Sequence, residues 1–160
     1  MKWYWWILLV LFVLAILLWT WYKNLLSKIN ITFKFGKVDL KGISISDIIV
    51  SGQTDIDLDA EITVTNDSII DLSISDLRVE VFYRGQLVAM SKEILTSEVV
   101  IPKKDKAEFT IPLLVLLDSN TLNLLVQYTT RRTFSVEYRI SFKTLNLPVT
   151  ITGLYTEDYA

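Results

Sequence analysis

The chain has no cysteine and no histidine among its 160 residues. Those two absences remove disulfides, thiol nucleophiles, the usual zinc and haem ligands, Ser-His-Asp triads and histidine general bases together. They also remove the thiol that a cysteine-linked lipid anchor needs. A cysteine-free domain tolerates either redox environment, so the compartment is left open. Neither sign of charge dominates: 16 Lys+Arg stand against 18 Asp+Glu, a formal net charge of −2. Nucleic-acid binding needs a concentrated basic face, so no nucleic-acid partner is expected.

Tryptophan is missing from everything beyond Trp21; all five lie between Trp3 and Trp21. The stretch Trp3 to Tyr22 reads WYWWILLVLFVLAILLWTWY, without a charge, a glycine or a proline. Twenty helical residues span about 30 Å, the hydrocarbon thickness of a bilayer. Trp3, Tyr4, Trp5 and Trp6 stand at one end, and Trp19, Trp21, Tyr22 and Lys23 at the other. Amphipathic rings prefer the headgroup level, so these eight residues are the candidate membrane-interface positions. A signal peptide would have a shorter apolar core, a more basic start and a small-residue cleavage site; Trp19-Thr20-Trp21-Tyr22-Lys23 offers no such site, and a retained anchor is expected. A buried soluble helix is seldom apolar on every face. No small-xxx-small motif and no polar residue beyond Thr20 argue for tight helix pairing or transport. Lys2 precedes the helix, and Lys23, Lys28, Lys34 and Lys37 follow it, which favours the inner side for the rest of the chain.

The expected organisation is an anchor over residues 1–23, a short linker over 24–30 and one domain over 31–160, close above the headgroups. From Ile31 the hydrophobic period becomes two: Ile31, Phe33 and Phe35 alternate with Thr32, Lys34 and Gly36. Val38 to Ile48 reads as extended, and Ser51-Gly52-Gln53 as a turn. The clearest strand is Asp55 to Thr65, with Ile56, Leu58, Ala60, Ile62 and Val64 on one face. Asn66-Asp67-Ser68 breaks it as a turn. Leu77, Val79, Val81 and Tyr83 repeat the pattern; Arg84-Gly85-Gln86 is a hairpin signal and Leu87 to Met90 the return. Further strands are expected over Ile94 to Ile101, stopped by Pro102, and over Ala107 to Ile111, ended by Pro112. Asp118 or Ser119 can cap a helix over Asn120 to Thr129 with Leu122, Leu125 and Val126 on one face, closed by Arg131-Arg132. Phe134 to Phe142 and Val149 to Leu154 complete the set. So many short strands with regular turns predict an all-β, two-layer antiparallel sandwich. Alternation shows faces but not neighbours, so strand order is open.

Three stretches carry a family resemblance. They are Phe35-Gly-Lys-Val-Asp-Leu-Lys-Gly-Ile-Ser44, Leu58-Asp-Ala-Glu-Ile-Thr-Val-Thr-Asn66 and Leu77-Arg-Val-Glu-Val-Phe-Tyr-Arg-Gly-Gln-Leu-Val-Ala89. Together with Val100-Ile-Pro102, Leu147-Pro148 and Gly153 they resemble the water-stress and hypersensitive-response domain of the atypical late embryogenesis abundant proteins. The resemblance covers most of residues 31–155; where that family has Asn-Pro after its central strand, this chain has Asn66-Asp67. It implies an immunoglobulin/fibronectin-III-like antiparallel β-sandwich behind an N-terminal transmembrane helix, no catalytic site, and roles in stress protection or in complexes at membranes.

The acidic ladder Asp55, Asp57, Asp59 and Glu61 is the one weak metal candidate. Calcium takes six to eight oxygens, but i and i+2 residues of a strand stand about 6.5–7 Å apart, so one ion cannot meet them all. A solvated face paired with Lys or Arg across the sheet is the simpler reading. A glycosidase built on these carboxylates would need an aromatic-lined cleft, and the tryptophans are spent in the anchor. Asn30-Ile31-Thr32 and Asn66-Asp67-Ser68 match glycosylation sequons, a short motif common by chance. Arg131-Arg132 and the Lys103-Lys104-Asp105-Lys106 turn could touch lipid phosphates, although turn lysines are normally just solvated. Phe82 lies on the face opposite Val81 and Tyr83 and marks either a contact surface or a covered ring.

The sequence thus reads as a membrane-anchored, non-enzymatic structural or interaction protein without cofactor, nucleic acid or small-molecule substrate. Its expected partners are the lipid bilayer and a protein partner or further copies of itself. A structural membrane protein of a lipid-containing virion, packed between vesicle and capsid, is the alternative in the same class. An oxygen-ligand metal-binding or carboxylate hydrolase domain is the alternative from another class.

Overall fold

The computed structural model describes residues 4–36, 56, 58–130 and 132–158. Trp3, the extended stretch Val38 to Ile48, the turn at Ser51-Gly52-Gln53, Asp55, Asp57 and Arg131 lie outside them. In chain order the elements are α1 (Tyr4–Leu26), β1 (Ile29–Phe35), β2 (Leu58–Asn66), β3 (Leu72–Tyr83), β4 (Gln86–Ser91), β5 (Val99–Ile101), β6 (Asp105–Val115), α2 (Ser119–Thr129), β7 (Phe134–Thr144) and β8 (Leu147–Glu157). Only Ser27 and Lys28 separate α1 from β1.

Every pairing among these strands is antiparallel, and one hydrogen-bonded path runs β1-β2-β6-β4-β3-β7-β8, with β5 on the first half of β3. β4 lies between the two halves of this path, hydrogen-bonded to β6 on one side and to β3 on the other. On one side of it β1, β2 and β6 make a layer; on the other, β5, β3, β7 and β8 make the second. The all-β sandwich with one short helix expected from the alternation is what forms.

Period-two patterning sets the inward faces. On β2, Ala60, Ile62 and Val64 are buried while Glu61 points out. β3 buries Leu72, Ile74, Leu77, Val79, Val81 and Tyr83. The parity changes between Ile74 and Leu77, where the register shifts and Asp76 adopts φ 53°. This bulge puts both halves of the strand on the core side, and it hides the first half from a period-two reading. Full burial of each Leu or Ile side chain stabilises by about 1.5–3 kcal/mol.

Two strand expectations and one helix expectation need correction. Pro112 does not end its strand: β6 continues to Val115. The Pro112 carbonyl accepts from the Lys92 N–H at 2.9 Å, so the missing donor of Pro112 would point the same way, just past the end of β4. A proline is tolerated there because β4 ends at Ser91, so its missing donor falls at the margin of that pairing and not inside it. The strand ending at Pro102 is only Val99–Ile101, with Leu95 held by an isolated bridge to Leu77. On α2, Leu122, Leu124 and Leu125 pack on the core, whereas Val126 is exposed. Asp118 is the N-cap, its side chain accepting from the Thr121 N–H at 2.8 Å.

The outer strands β1 and β8 meet through rings. Phe33 of β1 stacks on Tyr138 of β7 at 4.6 Å and meets Tyr155 of β8 edge-on at 5.7 Å. Phe35 meets the same Tyr155 at 5.2 Å. Gly153 is the register partner of Tyr138, and a Cβ there would lie 2.3 Å from the Tyr138 ring. The missing side chain is what lets Tyr138 lie flat over β8 and reach Phe33.

Candidate membrane-facing site

α1 is about 35 Å long at the standard rise. From Tyr4 to Trp21 every side chain is exposed, apolar ones included. The helix is long and apolar enough to cross a bilayer, and none of its apolar window is buried against the sandwich. By length and composition alone, a signal sequence passes the same test. The one aliphatic hydroxyl of the helix is satisfied internally: Thr20 Oγ1 donates to the Ile16 carbonyl at 2.8 Å. Tyr4 and Trp5 lie together at 5.9 Å near one end. At the other, Trp19 sits 6.5 Å from Tyr22 and takes the Lys23 ammonium over its face at 5.3 Å. Trp5 and Trp21 are thus about 24 Å apart along the axis.

The helix ends in a tight junction. Leu25 is buried, the Lys28 N–H donates to the Leu25 carbonyl, and the Lys28 carbonyl accepts from the Asp67 N–H at 2.9 Å. That last bond ties the exit of α1 to the loop between β2 and β3. The loop is organised by Asn66, which is fully buried. Its Nδ2 donates toward the carbonyls of Ile70, Ile101 and Pro102 at 2.9, 3.1 and 3.1 Å. Its Oδ1 accepts from the Ser68 N–H and hydroxyl at 3.0 and 2.6 Å. One side chain thereby closes three segments on the side where α1 leaves. The second sequon therefore places its asparagine inside the fold, out of reach of a glycosyl donor, while Asn30 is exposed.

Lys103 and Lys104 belong to the same end. The Lys103 N–H donates to Asp71 Oδ1 at 2.9 Å, and Lys104 Nζ donates to the Asp67 carbonyl at 2.5 Å. Ile69, in the middle of this loop, is 80% exposed. The β7–β8 turn reaches the same end, because Ser75 near the start of β3 pairs with Lys143 near the end of β7. Its tip residues Leu145 and Asn146 have φ 51° and 61°, and Leu145 and Leu147 are exposed. Sequence reading missed these three apolar residues. The signal available was Ile69-Ile70 inside an otherwise polar loop.

Elsewhere the candidate sites separate. Of the acidic ladder, Asp59 is half-buried and Glu61 exposed; Lys34 stands opposite Glu61 across the β1–β2 pair. Among the described residues no group of three metal-ligating side chains converges. Phe82 is half-buried, with the Arg139 guanidinium 4.9 Å over its ring; Arg139 and Arg78 both pair with Glu80. At the end away from α1, a cleft between the layers is lined by Phe35, Leu58, Val115, Leu125 and Phe134 and encloses about 50 Å³. Ligand pockets run to roughly 300–1,000 Å³. Burial and the hydrogen bond to Glu157 push the Tyr155 hydroxyl up to about 12, so it stays protonated at neutral pH.

No protein-family model matches the chain, and no curated protein matches it in sequence. Its solved structural neighbours are distant. A protein from Archaeoglobus fulgidus superposes with a TM-score of 0.45 and 12% identity over 80% of this chain and 92% of its own. A protein from Arabidopsis thaliana gives 0.40 and 16% over 79% and 77%. A further neighbour, described as a putative late embryogenesis abundant protein, gives 0.28 and 12% over 81% and 72%.

Proposed function

We propose that this chain is a membrane-anchored, non-enzymatic protein that holds a late-embryogenesis-abundant-like sandwich at a bilayer surface for structural or interactive work. The observation that carries the reading is α1: from Tyr4 to Trp21 it is apolar and exposed around its circumference, and it joins the sandwich through only two residues. A helix of that kind is at rest only in hydrocarbon, and the polar backbone of its last turn hands over directly to β1. The family reading rests on the resemblance across residues 31–155. Tethering confines the sandwich to within a few nanometres of the membrane and raises its effective concentration toward lipid, a protein partner or a second copy. The lysines after α1 favour the inner side.

Alkaline carbonate extraction of membranes from cells expressing the full chain tests the anchor, and protease digestion of sealed vesicles tests the side. The expected result is a full-length chain retained in the pellet, with the sandwich digested only when the inner face is opened. Release into the supernatant, or a mature N-terminus beyond Tyr22, defeats the proposal. Recovery in icosahedral lipid-containing particles would move it to the virion role.

A further inference from the structure

We propose that the α1-proximal end of the sandwich docks onto the bilayer as a second membrane contact, with Ile69 and the Leu145–Leu147 turn entering the headgroup layer. The inference rests on α1 being an anchor and goes beyond it, because an anchor alone says that the sandwich is near the bilayer and not which of its side chains enter the lipid.

The geometry comes from three links. β1 starts two residues after α1 ends, so this end of the sandwich faces whatever holds the helix. The Asp67 N–H is bonded to the Lys28 carbonyl, so the β2–β3 loop is fastened to the helix exit. Beneath the loop, Asn66 and Ser68 are buried and fully engaged, which fixes the backbone that points Ile69 outward. A large β-branched side chain at 80% exposure in a loop this well held has no packing role in the sandwich. The Leu145 turn reaches the same end by the β3–β7 register. There Leu145 puts an apolar side chain at a left-handed position that asparagine or glycine fills at lower cost. The turn at the opposite end, Arg84-Gly85-Gln86, is polar and exposed.

Charge identifies the kind of surface. Lys28, Lys103 and Lys104 are exposed at the α1-proximal end, but so are Asp67, Asp71 and Asp105. The mixture gives no net attraction for an anionic face, so apolar insertion drives the contact, and a zwitterionic bilayer suffices. The tether supplies lipid at this end without any requirement on protein concentration, which favours the bilayer over a second copy as occupant.

The absence of cysteine makes the test direct. Full-length Ile69→Cys, Gln86→Cys and Leu14→Cys chains are labelled with a fluorophore and placed one per disc in phosphatidylcholine nanodiscs containing nitroxide lipid. Quenching at position 69 by headgroup-level nitroxide is expected to exceed that at position 86 several-fold and to be unchanged by added salt. Position 14 is expected to be quenched from the tail region. Equal quenching at 69 and 86 with 14 still quenched overturns the docking and leaves the anchor standing. No quenching at 14 overturns both. Shielding of 69 only when two chains share a disc identifies a second copy as the occupant and overturns the lipid assignment.

Discussion

The two ends of the sandwich are closed by different chemistry. Where α1 leaves, closure is polar: Asn66 gathers the carbonyls of Ile70, Ile101 and Pro102, and the Lys28 carbonyl takes the Asp67 N–H. At the opposite end closure is apolar: Leu122, Leu124 and Leu125 of α2 pack over the core, and Phe35, Phe134, Tyr128 and Tyr155 form a ring cluster beside them. A polar hub fixes backbone without covering it with side chains. It therefore leaves loop tips, Ile69 above all, ordered and exposed. A packed helix covers its end and leaves little to present. Exposed apolar tips therefore stand at the α1-proximal end, and packed apolar side chains close the other.

The sharpest way to break the polar closure is Asn66→Ala. It removes every bond of the buried amide at once; the Ser68 hydroxyl and the Ile70 carbonyl keep each other and the Pro102 carbonyl keeps the Asp105 N–H, so the loss is expected to be about 1–3 kcal/mol. Urea unfolding of the detergent-solubilised chain measures it; an unchanged midpoint would show that the hub is not what closes this end. Gly153→Ala strikes between the ends. The new methyl meets the Tyr138 ring, which must leave Phe33, at an expected cost of about 1–3 kcal/mol. In a double-mutant cycle with Tyr138→Ala the two losses should fall well short of additive; additivity would refute the proposed contact.

The apolar end is probed by Asp118→Ala, expected to cost about 1 kcal/mol through loss of the α2 cap. The Thr121 N–H holds the Asp118 carboxyl below its ordinary range. With the folded value depressed, the stabilisation is complete above the ordinary carboxylate range, about pH 4, and fades as pH falls through the folded value. Asp118→Asn should keep most of the cap and lose that acid sensitivity, as pH-dependent melting would reveal. The smallest effect is a gain. Leu145→Asn relieves a left-handed leucine and should stabilise by about 0.5–1 kcal/mol, while reducing the quenching of the membrane-proximal label. A variant that melts earlier would remove the strain argument.

Much of this was legible because the signals are local. All-round apolarity over Tyr4 to Trp21 marks a helix with no inside face of its own, and alternation over Ala60, Ile62 and Val64 marks a strand with one. The Asp118 cap was equally readable, being a matter of three residues. Pro112 misled because its effect depends on which neighbour its missing N–H would face, and that neighbour, the end of β4, lies 20 residues earlier at Lys92. The first half of β3 was hidden by the Asp76 bulge, which breaks the parity that alternation relies on. Asn66 read as a turn residue or a sequon, since nothing nearby announces that Ile101 and Pro102 return to it.

The sequence by itself determined the helix, the inward face of each regular strand and the caps and turns, because those follow from side-chain periodicity and short-range hydrogen bonding. Only the tertiary structure decided that β4 bridges the two layers, that Asn66 is a buried hub, that Tyr138 lies over Gly153 and that Ile69 is held outward beside the end of α1. Those facts depend on which distant segments pair, and pairing is settled by the joint burial of many faces rather than by any one stretch of chain.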